Sequence, residues 1–331
     1  MNNICLVGSG GVGTIASLVL EKSGRAKVTA VLRSRYAIVK EKGWNIDSID
    51  HGKLDGWRPF RVVPSVKDAV FPDDPPYDFV VVTTKQLPDH YCVAELIRPV
   101  ITPGHTVVVL IQNGLDIEVP IIQNYPGSSV MSAISMIGSQ TSGENTILQP
   151  GTDVLTICPH FHDGLPHEQF VEMYTAGSKG AGAANAECTF TDDMPRARWQ
   201  KLLWNGTFNT ICTVMRMDVG ELQSSGGRET LLIPAMWEMY AIAKAAGHPP
   251  PEEIIDFYAY RLPNDCRYRP SMLLDFDHGR PMELEVVLGN PLKRAKELGV
   301  QVPTLGTLYE QLKMIKWRVE QEKAEKKING A

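Results

Sequence analysis

The chain opens with Met-Asn-Asn-Ile-Cys-Leu-Val and runs straight into Gly8-Ser9-Gly10-Gly11-Val12-Gly13, after which Thr-Ile-Ala-Ser-Leu-Val-Leu-Glu carries apolar residues at helical spacing. Strand, glycine turn and helix in direct succession constrain the fold strongly. The first glycine permits a tight turn, the second lets a pyrophosphate approach the backbone, and the third lets the helix close on the strand, with phosphate charge at the helix N-terminus. A Gly-x-Gly-x-x-Gly match alone is a weak signal, with a turn packed for its own sake as the plain alternative. Here the preceding strand, the following helix and a second strand at residues 27–32 supply the context the motif needs. Gly8, Ser9, Gly10, Gly11, Val12 and Gly13 are therefore the expected cofactor loop of a Rossmann-type, dinucleotide-binding α/β domain.

The end of the second strand selects the dinucleotide. An NAD-binding unit places Asp or Glu about 20 residues beyond the motif to accept from the ribose hydroxyls, whereas an adenosine 2′-phosphate calls for cations. This chain has Val31-Leu32-Arg33-Ser34-Arg35. Arg33 can stack on adenine and bond the phosphate, Ser34 can donate a further bond, and Arg35 adds charge or points to solvent. The expected cofactor is NADP(H).

A length of 331 residues exceeds the usual single core, so two domains are expected. The formal charge of −5 argues against nucleic-acid or anionic-membrane partners, although a local basic pocket can still recruit an anionic small molecule. The longest apolar runs, such as residues 106–111, are too short to span a bilayer, and no signal peptide precedes the first strand, so the expected location is the cytoplasm. The six cysteines show no C-x-x-C pairing and read as reduced core thiols. His160, His162 and His167 lie in a loop rich in Pro and Gly without Cys or carboxylate at ligand spacing; they read as solvated, and no metal is expected.

Alternating strands and helices fill the first part of the chain. Residues 77–84 and 106–111 are continuous apolar runs typical of buried parallel strands, the first followed by Lys85 and a helix over 88–98, the second by Gln112-Asn113-Gly114. Polar residues just past a strand's carboxyl end lie where open α/β sheets bind ligands, which makes Lys85 and Asn113 candidates; a lysine flanking a helix and an Asn-Gly turn are the plain readings of the same residues. Further strands over 129–138, 153–158 and 187–191 extend the sheet. From Pro195 helical periodicity takes over, at 196–215, 228–246, 252–262, 282–298 and 304–323. The expected division is a dinucleotide-binding domain, 1–192, and an all-helical substrate and catalytic domain, 193–331, with the chemistry in the cleft they form.

Within the helical part, Lys201, Asn205 and Asn209 follow at four-residue steps in a stretch otherwise filled by Trp199, Leu202, Leu203, Trp204, Phe208 and Ile211. A buried amine and two buried amides need partners, because an unsatisfied polar group in an apolar setting costs roughly 1 to 3 kcal/mol. A polar ligand supplies them, or an internal hydrogen-bond network does, and the stripe alone does not choose. Opposite a nicotinamide, these residue types suit carbonyl reduction. Hydride delivery to C=O leaves an alkoxide that must gain a proton, and an amine brought toward neutrality by burial can give it. Glu283, at a helix start, can orient the ammonium, and Ser271 follows a helix-breaking Pro; a first-turn acid and an N-cap are the plain readings of these two.

Gly8-x-Gly10-x-x-Gly13, Val-Leu-Arg33, Thr-Thr-Lys85, Gln-Asn113-Gly, Trp-x-Lys201-x-x-x-Asn205-x-x-x-Asn209, Ser271-Met-Leu-x-Asp and Gly279-Arg-Pro-x-Glu283 occur in the order seen in ketopantoate reductases, which this chain resembles over almost its whole length. The resemblance implies NADPH-dependent reduction of 2-dehydropantoate to (R)-pantoate for pantothenate synthesis. It implies Lys201 as proton donor, with Glu283 interacting with it or with the substrate hydroxyl. Ser271, Asn205 and Asn209 would hold the substrate's carboxylate and hydroxyl, and Lys85 and Asn113 would bridge cofactor and substrate. Pro270 before Ser271, Glu285 two residues after Glu283, Gly289-Asn290 and the stretch 44–64 depart from the family pattern. These touch the substrate side, so a 2-oxo acid is the firmer expectation. The alternatives are a D-2-hydroxy-acid dehydrogenase-like paralogue and a non-catalytic NADPH-sensing protein, the latter disfavoured by Lys201 and Glu283 together. The last helix, with Leu308, Leu312, Ile315 and Val319 on one side, caps its own domain or meets a second copy; capping is the plainer use, and a homodimer stays open.

Overall fold

The computed structural model describes residues 1–160, 167–179 and 186–329, and the chain divides into two compact units. The first comprises Met1–Lys85, Tyr91–Gln112 and Ile117–Met194; the second comprises Gln86–His90, Asn113–Asp116 and the chain from Pro195 onward.

The strands of the first unit are β1 (Asn2–Val7), β2 (Ala26–Val31), β3 (Trp44–Ser48), β4 (Gly52–Trp57), β5 (Arg61–Val63), β6 (Phe79–Val82), β7 (Val107–Leu110), β8 (Val130–Ser135), β9 (Gln140–Ser142), β10 (Thr146–Gln149), β11 (Val154–Pro159) and β12 (Glu187–Phe190). Eight of them form one sheet in the order β12-β11-β8-β7-β6-β1-β2-β5. All seven strands read from the sequence lie in it. It is parallel from β5 to β8, while β11 runs antiparallel to β8. The chain starts at β1, builds outward through β2 and β5, and returns to β6 on the other side of β1. The strand order therefore reverses between β1 and β6, the place where open α/β sheets leave a crevice at their carboxyl ends. Every residue of β6 and β7 is buried, as unbroken apolar runs require when both sheet faces are covered. Ile4, Leu6, Ile15, Val81 and Phe170 belong to the core, with the Phe79 and Phe170 rings 5.4 Å apart.

A second sheet, β4-β3-β10-β9, is absent from the sequence reading. Its strands are short, and β3 pairs with β10 from a distant stretch of chain, so no local pattern announces it. A buried polar network ties it to the rest of the unit: Ser48 Oγ donates to Gln149 (2.6 Å), Gln149 Nε2 to Asp50 (2.6 Å), the Asp153 amide to Asp50 (2.8 Å) and Tyr174 Oη to Asp153 (2.8 Å). Burial pushes the Asp153 carboxyl up to about 6.

Three local expectations are corrected. The helix expected over 88–98 covers only Val93–Ile97, because Gln86–His90 leaves to join the second unit. His160 and His167 are not solvated loop residues: His160 Nε2 lies 2.9 Å from Ser132 Oγ, and buried His167 begins the helix His167–Lys179, its ring bonded to Ser129. His162 lies outside the described residues, among which no three His, Cys, Asp or Glu side chains are grouped to hold a metal. Cys5, Cys158 and Cys212 are buried, whereas Cys92 is exposed rather than a core thiol.

From Pro195 the described residues form helices and loops. Helices occupy each expected region, and Val219–Ser224 and Ser271–Asp277 are added. The first addition carries a capping box, Asp218 with Glu221, on a helix too short for its apolar spacing to stand out. The long helix around Lys201 is α-helical over Met194–Trp204 and Thr210–Met215, with a π turn at Asn205–Asn209 between. A π turn leaves carbonyls poorly served by backbone amides, and here hydroxyls one turn ahead serve them: Thr210 Oγ1 donates to Gly206 O (2.8 Å) and Thr207 O (2.9 Å), and Thr213 Oγ1 to Asn209 O (2.6 Å). Leu305, Leu308 and Leu312 bury one side of the last helix, Pro303–Asn329, within its own unit. No helix among the described residues is long and apolar enough to cross a membrane.

Candidate active site

In the first unit the glycine loop joins β1 to the helix Gly11–Lys22. Gly8 has φ +109°, and a Cβ there would lie 2.6 Å from the Thr84 amide nitrogen. At Gly13 a Cβ would lie 1.9 Å from Gly8 O, so the helix can approach the strand only without a side chain. Gly10 differs: an added Cβ would meet nothing within 4 Å. Packing dictates glycine at two positions of the motif and leaves open space at the third, where a phosphate would come nearest to the backbone. Gly10 caps the helix without a side-chain bond, and the first turn holds no acid, so its amides are left for an anion. Ser9 Oγ reaches Val31 O at 3.4 Å, and half-buried Val12 packs on the core. Arg33, in a left-handed conformation at φ +46°, is exposed and has no ion-pair partner among the described residues. Arg35, open in the sequence reading, is committed elsewhere: its guanidinium donates to Gly143 O (2.9 Å) and Glu144 O in the β9–β10 turn. Lys85 follows β6, and the Tyr91 hydroxyl donates to its carbonyl. Gln112 Nε2 donates to Thr84 O (2.6 Å), tying the ends of β6 and β7 together.

The second unit gathers Asn113, Lys201, Asn205, Asn209, Ser271 and Glu283. Glu283 is the hub. One carboxylate oxygen accepts from the Gln86 amide at 2.9 Å and the other from Asn113 Nδ2 at 3.3 Å. The Asn113 turn is held from three sides: the Leu115 amide donates to Val286 O (2.7 Å), Asn290 Nδ2 to Leu115 O (2.7 Å), and Arg198 Nη1 to Gly114 O (2.9 Å). Gly114 is required there, since its φ is +106° and a Cβ would lie 2.4 Å from Val286 Cβ. Ser271 is the first residue of its helix, with Pro270 at the cap position, so it is not the N-cap; its hydroxyl accepts from Asn209 Nδ2 at 3.2 Å. Asn205 is 6% exposed, yet its side-chain amide has no hydrogen bond among the described residues. Its polar atoms are not sealed from solvent, so water or a polar ligand can reach them. Trp204 packs on Phe208 at 4.2 Å, the rings tilted by 34°, and meets Tyr258 edge-on at 5.6 Å.

The electrostatics focus on Lys201. Burial brings its amine down from 10.5 to about 8, the Arg198 guanidinium pushes the same way, and the Glu283 carboxylate opposes both. An ammonium so placed is ionised near neutrality but gives up its proton far more readily than an ordinary lysine. Sequence reasoning missed Arg198 and the Gln86 amide. Arg198 stands three residues before Lys201, a spacing that puts both on one helix side, but its burial becomes visible only when the helices pack.

The sequence profile of the family described as Ketopantoate reductase PanE/ApbA matches residues 4–160, and that of its C-terminal domain matches residues 193–316. The chain belongs to the ketopantoate reductase family. An uncharacterized protein of Saccharomyces cerevisiae is 35% identical over 98% of this chain and 96% of its own length. The 2-dehydropantoate 2-reductase of a Nostoc species is 29% identical over 95% of both chains. Among solved structures, the 2-dehydropantoate 2-reductase of Methylococcus capsulatus superposes with a TM-score of 0.82 at 31% identity, covering 96% of this chain and 97% of that one. The family membership therefore spans both units and takes in the glycine loop and the Lys201 set alike.

Proposed function

We propose that this chain reduces a 2-oxo acid to the 2-hydroxy acid with NADPH, and that 2-dehydropantoate, reduced to (R)-pantoate, is the foremost candidate substrate. The observation that carries the reading is Lys201, an amine whose pKa is brought to about 8 by burial and Arg198 while Glu283 keeps it charged, in one set with the unpartnered amide of Asn205. The nucleotide loop fits a dinucleotide because only Gly10 has space above it that no part of the unit fills. Arg33, exposed and without an ion-pair partner, suits a 2′-phosphate, and no carboxylate stands at the end of β2 to receive ribose hydroxyls.

When bound, the reduced nicotinamide supplies the hydride. Lys201 gives its proton to the carbonyl oxygen as negative charge develops there, so C=O becomes CH–OH and the amine is left neutral, to be reprotonated from solvent. Glu283 holds the ammonium's direction. Asn209 and Ser271, already bonded to each other, present the remaining donor capacity to a carboxylate, and Asn205 to the hydroxyl end. Lys85 and Asn113 are assigned to the junction of cofactor and substrate.

The test is a panel of 2-oxo acids differing in chain length and branching, each assayed with NADPH and with NADH and ranked by kcat/KM. The reading expects turnover of at least one 2-oxo acid and a preference for NADPH of tenfold or more, about 1.4 kcal/mol. Turnover of none would overturn the activity, and equal efficiency with NADH would overturn the cofactor assignment.

A further inference from the structure

Arg198 is 5% exposed, an uncommon state for a guanidinium, and it lies one turn before Lys201 on the helix Met194–Trp204. Its Nη1 donates to the carbonyl of Gly114 at 2.9 Å. That carbonyl belongs to the residue directly after Asn113, whose side-chain amide reaches Glu283 at 3.3 Å, and Glu283 in turn acts on Lys201. One buried side chain thus joins the helix of the proposed proton donor to the turn that supports its carboxylate. The plain reading, an interior hydrogen bond that only stabilises the fold, does not account for a cation being used where a neutral donor would serve at a lower desolvation cost.

We propose that Arg198 is a positioning residue of this site, whose guanidinium fixes the Asn113–Gly114 turn against Glu283 and sets a second cation beside the Lys201 ammonium. The inference rests on the assignment of Lys201 as proton donor. Two effects follow from two properties of one group. The rigid, planar guanidinium fixes geometry by holding Nη1 on the Gly114 carbonyl, a placement that the shorter, freely rotating ammonium of a lysine does not keep. The charge disfavours a proton on Lys201, in the same direction as burial and against Glu283; Arg198 from the same helix and Glu283 from the segment before the π turn Glu285–Gly289 are the charged groups acting on that amine.

Arg198→Lys and Arg198→Met separate the two. Arg198→Lys keeps the charge and loses the fixed Nη1 contact with the Gly114 carbonyl: kcat should fall about tenfold or more while the alkaline limb of kcat/KM stays in place. Arg198→Met loses both: a similar fall in kcat, with the limb moved upward by roughly half to one pH unit. A wild-type-like circular dichroism spectrum with a single cooperative thermal transition serves as the folding control for both variants. If Arg198→Met does not fold, Arg198→Lys carries the test. A kcat within twofold of wild type in Arg198→Lys, or an unmoved limb in Arg198→Met, overturns the proposal while leaving the reductase reading intact. If the wild-type chain reduces no 2-oxo acid, the activity reading fails separately. The Lys201 titration, followed by NMR of the 13C-methylated amine in wild type and variant, then decides on Arg198, with an upward shift expected and an unchanged midpoint refuting it.

Discussion

Raising the pH across the Lys201 midpoint should switch off carbonyl reduction well before an ordinary lysine would respond. With the amine at about 8 rather than 10.5, the ammonium fraction in the free enzyme falls about tenfold between pH 7 and pH 9, whereas at 10.5 it would fall by only a few per cent. If Lys201 is the proton donor as proposed, the ammonium is the required form and kcat/KM for reduction should follow that fraction, with a slope approaching −1 above pH 8. Oxidation of the 2-hydroxy acid needs the neutral amine and should rise through the same midpoint. Initial rates of NADPH consumption from pH 6 to pH 10, in buffers of constant ionic strength and with subsaturating 2-oxo acid, measure this directly. Lys201→Met should lose both the limb and at least about a hundredfold in turnover. A profile flat to pH 10, or an unchanged limb in Lys201→Met, would refute the argument. A physical counterpart accompanies it: the unfolded chain binds this proton more tightly than the folded one, so the Lys201 contribution makes stability rise with pH between about 8 and 10.5.

Gly10→Ala should leave the thermal midpoint within a few degrees of wild type, because its φ of −81° suits alanine and nothing lies within 4 Å, yet NADPH affinity should drop about tenfold or more, read by titration of nicotinamide fluorescence. Gly13→Ala, with its Cβ 1.9 Å from Gly8 O, should instead cost about 1 to 3 kcal/mol or more in denaturant unfolding. Arg33→Ala should erode the NADPH preference by about tenfold or more in kcat/KM, whereas Arg35→Ala should leave it nearly unchanged, since Arg35 is spent on the Gly143–Glu144 turn. Asn205→Ala should raise KM about tenfold at unchanged stability, because its amide forfeits no internal hydrogen bond; a large loss of stability with unchanged KM would make it a structural residue.

The sequence by itself determined the main α/β sheet and the helical half. Residues 2–32 and the apolar runs ending before Lys85 and Asn113 are local patterns, in which period, glycine spacing and strand-end polarity all act within a few residues. It likewise singled out Lys201, Asn205 and Asn209, because polar residues at helical steps in an aromatic stretch demand partners wherever they fold. The tertiary structure decided what depends on distant segments meeting. The second sheet joins residues 44–57 to 140–149; Gln86–His90 and Asn113–Asp116 belong with the helices; and Glu283 is bonded by residues almost 200 positions earlier. It also separated Arg33 from Arg35, alike in sequence, by giving one a turn to hold and leaving the other exposed. Burial and pKa are properties of surroundings rather than of residues, so the sequence anticipated a lowered Lys201 amine, while the buried guanidinium of Arg198 that lowers it further came into view only with the packed helices.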